Sequence, residues 1–127
     1  MKVIMPVREN NGLESRVTGH PRMSPYFAAA EIKGDDLVSA DIIDNPYREE
    51  SHEGHHHEGN HEGVNRFFKF LVDLKPDALI SYNVGPGAFY RLKEIGIKMY
   101  LPNGHTVKEN IDALKAGTLK EIKEPSE

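Results

Sequence analysis

Residues 77–102, "DALISYNVGPGAFYRLKEIGIKMYLP", have the pattern of a strand, a glycine-rich turn, a helix and a second strand. "DALIS" (77–81) is almost continuously apolar, which predicts a strand that is buried on both faces of a sheet. Apolar residues recur at helical spacing between 88 and 95, and "IKMYLP" (97–102) is the next apolar run. A helix between two such strands predicts a right-handed crossover that leaves the strands parallel.

The segments before this unit predict three more strands. "KVIMPV" (2–7) is a short apolar run that a polar, turn-rich stretch ends. "YFAAAEIK" (26–33) and "LVSADIID" (37–44) flank Gly34, whose tolerance of positive φ favours a hairpin turn. Alternation in the second of them predicts one buried face, made of Val38, Ala40 and Ile42.

Two more segments have the pattern of amphipathic helices. Apolar residues in the segment 64–72 follow the i, i+3, i+4, i+7 spacing. Thr106 and Glu109 form a capping-box pattern, and Gly117 stands where a C-terminal cap glycine is expected. The charged tail, residues 119–127, is predicted to fray. The expected fold class is therefore a single α/β domain with a mixed five-stranded sheet flanked by helices, in the order β-β-β-α-β-α-β-α, antiparallel at one end and parallel at the other.

Composition limits the functional classes. The chain has 127 residues and a formal net charge of −4, which disfavours a general nucleic-acid binder because such proteins need a basic face. It contains no cysteine, so thiolate nucleophiles and thiolate-bound metals from this chain are excluded. No stretch of 18 apolar residues is present, so we expect no contact with a membrane and a cytoplasmic location.

Four stretches carry a resemblance to a known family: the first strand with its Pro-Val end, "NNGLESRVTGHPRMSPYF" (10–27), "DNP" (44–46) and "ALISYNVGPGAFYRLKEIGIKMY" (78–100). They resemble the dinitrogenase iron–molybdenum cofactor biosynthesis family, which includes nitrogenase cofactor carriers. The resemblance implies a ribonuclease-H-like fold and a cofactor-carrier-like domain over residues 1–118, with residues 52–63 as an internal His-rich loop.

The resemblance also implies a ligand. Members of this family commonly carry His-Phe-Gly between the first two strands, and that histidine, here His20, is the candidate ligand of a metallocluster. Pro21 and Arg22 stand where the family has Phe-Gly. Arg16 and Arg22 would favour an anionic cluster or precursor, and imidazole can ligate iron or molybdenum. The alternative is an exposed loop histidine with no ligand.

The second candidate is the glycine turn, Gly85-Pro86-Gly87-Ala88, before a predicted helix. Backbone N–H groups at a helix start can bind an anion, and Gly85 and Gly87 would leave them accessible. The turn matches neither nucleotide-binding glycine fingerprint. The alternative is a tight turn that needs glycine for its dihedral angles.

The third candidate is "HEGHHHEGNHEG" (52–63), which is rich in imidazoles. Its histidines could close on Zn²⁺ or Ni²⁺, because a glycine-rich loop bends easily. The interleaved glycines would break a helical metalloprotease motif, so a catalytic zinc site is not expected. The alternative is a polar loop without a ligand. The metal candidates here are His52, His55, His56, His57 and His61; we interpret His105 as a turn residue.

These features favour a protein that binds cargo over an enzyme. The first strand has no acidic residue of the kind that ribonuclease-H-type nucleases use for Mg²⁺, and no serine-hydrolase motif is present. The leading hypothesis is a non-enzymatic metal or metallocluster carrier, with cofactor-assembly proteins as candidate partners. The alternatives are a metal buffer or sensor that works through the His-rich loop alone, and an enzyme for a small anionic substrate at the glycine turn.

Overall fold

The computed structural model describes residues 1–19, 21, 23–46 and 66–125. The strands are β1 (Lys2–Val7), β2 (Tyr26–Lys33), β3 (Asp36–Asp44), β4 (Ala78–Ile80), β5 (Lys98–Leu101) and β6 (Lys120–Glu121). The helices are α1, described over residues 66–73, α2 (Pro86–Glu94) and α3 (Val107–Ala116), with a 3₁₀ turn at Gly12–Glu14.

All six strands form one sheet in the order β3-β2-β1-β4-β5-β6. The pairs β1–β4 and β4–β5 are parallel, whereas β1–β2, β2–β3 and β5–β6 are antiparallel. The mixed α/β sheet is therefore confirmed, but the parallel pairs lie in its centre and both ends are antiparallel. The ribonuclease-H-like assignment stays a prediction.

The expected count of five strands was wrong, because β6 lies in the segment that was predicted to fray. Only two residues of β6 pair with β5, Leu101 with Lys120 and Tyr100 with Glu121. The N–H of Ile122 then donates to the carbonyl of Met99 at 2.7 Å, and the Ile122 side chain packs on the core. Two paired residues show no period in the sequence, so the pattern could not reveal this strand.

The predicted buried face of β3 was also partly wrong. A register shift pairs Glu31 with Ser39 and Ile32 with Leu37, which leaves Val38 out of the pairing. Val38 is 56% exposed, while Leu37 and Ile42 pack on the core. A β-bulge inserts one residue and reverses the alternation on one side of it, so a strict period of two placed Val38 on the wrong face.

The sheet divides the interior into two hydrophobic cores. One face of β1 contributes Val3, Met5 and Val7 to the core beneath α3, whose Val107 and Ile111 are buried there. The opposite face contributes Ile4 to the core beneath α1 and α2. The expectation that the 77–81 strand is buried on both faces is confirmed, since all three β4 residues are at most 2% exposed.

The predicted local signals agree with the structure. Thr106 and Glu109 form the full capping box of α3, and Gly117 ends that helix at φ 74°. Gly34 has φ 62° in the β2–β3 hairpin, as expected. None of the helices in the described ranges is long and apolar enough to cross a membrane.

Candidate functional site

Three loops meet where the central parallel strands end. Strands β1, β4 and β5 run in the same direction, so residues 8–25, 81–85 and 102–106 leave the sheet at one edge, which we call the carboxyl edge. The N–H of Val17 donates to His105 O at 2.9 Å, and Asn83 Nδ2 donates to Gly19 O at 3.0 Å. Ligands of open α/β sheets commonly bind at this edge, so the geometry favours it as the site.

The glycine turn begins α2 at the carboxyl edge. Gly85 is the N-cap with φ −67° and ψ 164°, and Pro86 is the first helical residue. The first intrahelical bond joins Phe89 N to Gly85 O at 2.8 Å. The N–H groups of Gly87 and Ala88 lie in the first turn, where a helix offers no acceptor of its own.

The turn does not need its glycines for their dihedral angles. Gly85 has a negative φ, and Gly87 is not among the positive-φ residues. A Cβ built on either glycine meets no atom of the described chain within 4 Å. The dihedral alternative was therefore wrong for these two positions, and what glycine provides here is open space beside the helix start.

That open space belongs to a cavity of about 470 Å³. Its floor is apolar and comes from α1, α2 and β4, through Phe67, Phe68, Leu71, Leu79 and Leu92. Its rim comes from Pro21, Met23, Asn83, the residues 84–88 and Arg91. A larger cavity, of about 610 Å³, lies beside β6 and is lined by none of the predicted site residues, so it is a poorer candidate.

Arg91 gives the cavity a positive charge. Its Cζ lies 4.7 Å from the centroid of the Phe68 ring, a cation–π distance that orients the guanidinium across α1 and α2. The first turn of α2, with the positive end of its helix dipole, opens on the same cavity. The cavity thus combines an apolar floor with groups that suit negative charge.

The predicted site residues divide into three groups. Gly85 and Gly87 line the cavity, as do Pro21 and Met23, chain neighbours of two further candidates. His20 and Arg22 themselves lie outside the described residues, and so do His52, His55, His56, His57 and His61. His105 lies within the described residues. It is exposed, and its backbone N–H donates to Glu109 Oε1 at 2.8 Å.

No three His, Cys, Asp or Glu side chains are grouped to hold a metal ion within residues 1–19, 21, 23–46 and 66–125. The zinc or nickel site expected of the His-rich run falls on residues outside those ranges and stays a prediction.

Asn83, Phe68 and Arg91 also line the cavity but were not predicted as site residues from the sequence. Phe68 belongs to the apolar pattern of residues 64–72, although its side chain is only half-buried. Arg91 lies one helical turn after Gly87, a spacing that could have indicated a shared face. Asn83 gave no signal, because its partner Gly19 is 64 residues away in the chain.

Comparison with known proteins identifies the family. The model of the family described as "Dinitrogenase iron-molybdenum cofactor" matches residues 1–117. The chain belongs to this family.

Individual relatives match nearly the whole length of this chain, and the solved structures among them have the same fold. An uncharacterised protein of Methanocaldococcus jannaschii, MJ0580, is 26% identical over 123 residues, which are 96% of this chain and 92% of that protein. The apo form of the orange protein from Desulfovibrio gigas superposes with a TM-score of 0.77 at 20% identity, over 99% of this chain and 96% of that one. A candidate dinitrogenase from M. jannaschii, MJ0327, gives a TM-score of 0.71 at 20% identity, over 98% and 97%. These structures share the fold.

Proposed function

We propose that this protein is a non-enzymatic carrier that binds a metal or a metallocluster of the iron–molybdenum type at the carboxyl edge. His20 supplies the imidazole ligand, and the glycine turn and Arg22 receive the anionic part of the cargo. Cofactor-assembly proteins are the proposed partners, in the cytoplasm. Membership of an iron–molybdenum cofactor family supports this class of cargo.

The observation that carries the proposal is the composition of the cavity rim. Pro21, which directly follows His20, and Gly85–Ala88 line one cavity of about 470 Å³. Arg91 and the N–H groups of the α2 start add positive potential beside it. In a chain without thiolates, an imidazole beside such a positive surface suits the capture of an anionic metal cargo.

Anaerobic titration with isolated iron–molybdenum cofactor tests this proposal. We expect a one-to-one complex whose affinity His20→Ala lowers by more than about tenfold. Loss of a group that only hydrogen-bonds to a metal ligand already lowers metal affinity by about that factor. His105→Ala is the matched control, because it removes the imidazole of another loop at the same edge, and should leave the affinity unchanged. Absence of binding by the wild-type protein would refute the carrier function.

The density of histidines in residues 52–61 supports a second candidate, a metal buffer or sensor. Calorimetry with Ni²⁺ and Zn²⁺, before and after deletion of residues 52–61, separates the two. Complete loss of metal binding on deletion, with no effect of His20→Ala on either metal or cofactor, would favour the buffer. Retention of cofactor binding after deletion would favour the carrier.

A further inference from the structure

In the segment 19–23, Pro21 and Met23 line the cavity, and the described residues Gly19, Pro21 and Met23 belong to no helix or strand. The segment follows Val17, which makes an isolated bridge to Val7, and precedes β2. Such a segment holds its position only through bonds to other elements. Which side chains hold it therefore decides the shape of the cavity.

The carboxyl-terminal end of the segment is held by two buried polar residues. Ser24 is 2% exposed and its Oγ donates to Pro21 O at 2.9 Å. Asn45, which is 6% exposed, donates from Nδ2 to Ser24 O at 2.9 Å. Asn45 directly follows β3, so this end of the segment is tied to the β2–β3 hairpin.

The Thr18 N–H donates to Pro6 O at 2.9 Å, and the next residue, Gly19, is held by Asn83. Its Nδ2 donates to Gly19 O at 3.0 Å. The backbone of Asn83 is itself fixed, since Ser81 Oγ donates to Asn83 O at 2.9 Å and Ser81 N donates to Tyr100 O at 3.0 Å. A series of hydrogen bonds thus connects β5 through Ser81 and Asn83 to Gly19.

We propose that Asn83 is the positioning residue of the site: its amide holds Gly19, and with it the cavity-lining Pro21 and Met23, against the glycine turn and so sets the width of the cavity. Asn83 also lines the cavity that its bond closes. The relevance of this role to cargo rests on the proposed function, because Gly19 directly precedes His20. Asn83 is not itself assigned as a ligand.

Hydrogen exchange of the cargo-free protein tests the role directly. In Asn83→Ala we expect the N–H groups of residues 19–24, Pro21 excepted, to exchange about fivefold faster, as loss of one hydrogen bond predicts. Asn103→Ala is the matched control, since it truncates an exposed asparagine at the same edge. Gly19→Ala is the second control: the added Cβ would lie 3.5 Å from Asn83 Nδ2, an ordinary contact, and the carbonyl acceptor is kept.

Asn83→Asp distinguishes a donor from a space-filling side chain. An ionised carboxylate has the same shape but cannot donate to Gly19 O, whereas a protonated one can. In Asn83→Asp, the ratio of the exchange rate of these amides to the wild-type rate should exceed one at about pH 7. The ratio should return toward one at about pH 3, below the ordinary Asp pKa. A ratio that is the same at both pH values would contradict the donor role.

Cargo binding completes the test and separates it from the proposed function. With isolated iron–molybdenum cofactor, Asn83→Ala should dissociate several-fold faster, while Asn103→Ala should match wild type. Unchanged exchange in Asn83→Ala overturns the inference whatever the cofactor does, and so does faster exchange with unchanged cofactor dissociation. If wild type binds no cofactor, the carrier function fails, whereas faster exchange in Asn83→Ala alone still supports the structural role of Asn83.

Discussion

At the scale of single residues, Glu109 connects helix α3 to the carboxyl edge. Its Oε1 accepts from His105 N at 2.8 Å and from Thr106 N at 3.0 Å, while its own N–H donates to Thr106 Oγ1 at 3.1 Å. The neighbouring Gly104 has φ 115°, and a Cβ there would lie 2.7 Å from Glu109 Cβ. The close approach therefore requires glycine, and it keeps the 102–106 loop against the capping box.

These bonds give the stability of the loop a pH dependence. The backbone N–H groups of His105 and Thr106 hold the pKa of Glu109 below its ordinary value, because they stabilise the carboxylate. A lowered folded-state pKa contributes stability above the ordinary Glu pKa of about 4.3, and the contribution disappears as pH falls through the folded-state value.

Urea unfolding of Glu109→Gln checks this expectation. The variant should be less stable than wild type near neutral pH, and the difference should shrink on acidification below the ordinary Glu pKa. Glu94→Gln, which also removes one exposed negative charge from a helix, is the matched control. An equal difference between Glu109→Gln and wild type at all pH values would contradict the assignment.

At the scale of elements, the sheet shows how far a local pattern predicts structure. The strands 2–7 and 26–33 and the cap of α3 were predictable, because an apolar run, a hairpin turn and a capping box depend on residues close together in the chain. The β3 bulge and β6 were not, because both exist only through a partner strand. Val38 has no feature that marks it as the extra residue.

Strand β6 supports a prediction of its own. Ile122 is half-buried and packs on the core beneath α1 and α2. Ile122→Ala should lower the free energy of unfolding by roughly 1–2 kcal/mol, from the apolar area that returns to water. Lys123→Ala, on the exposed next residue, should change it by less than about 0.5 kcal/mol. Equal small effects of both substitutions in urea unfolding would mean that the tail frays after all.

At the scale of the whole molecule, one sheet separates two cores and also couples them. Phe27 lies in the core beneath α1 and α2, and Ile111 in the core beneath α3. Strand β1 contributes side chains to both, so neither core can unfold without the other. We therefore expect a single unfolding transition with coincident near-UV and far-UV dichroism.

Substitutions on opposite faces of the sheet should nevertheless lower the free energy of unfolding independently of each other. Phe27→Leu should lower the free energy of unfolding by roughly 1–2 kcal/mol, and Ile111→Val by about 1 kcal/mol. The decrease in the double variant should equal the sum of the two within about 0.5 kcal/mol. Phe27→Leu with Phe67→Leu is the matched comparison, since these rings lie 6.0 Å apart and should couple. Coupling between the opposite-face pair in chemical denaturation would contradict the two-core description.

The sequence by itself determined the elements other than β6, the class of fold and the family resemblance, since each depends on patterns between residues close in the chain or on motifs in a fixed order. Only the tertiary structure decided that Gly19 and Asn83, 64 residues apart, are hydrogen-bonded, and that Phe68 and Arg91 stack at one cavity. Strand order brings such residues together, and strand order follows from how the chain buries two apolar faces at once. No local pattern encodes that choice.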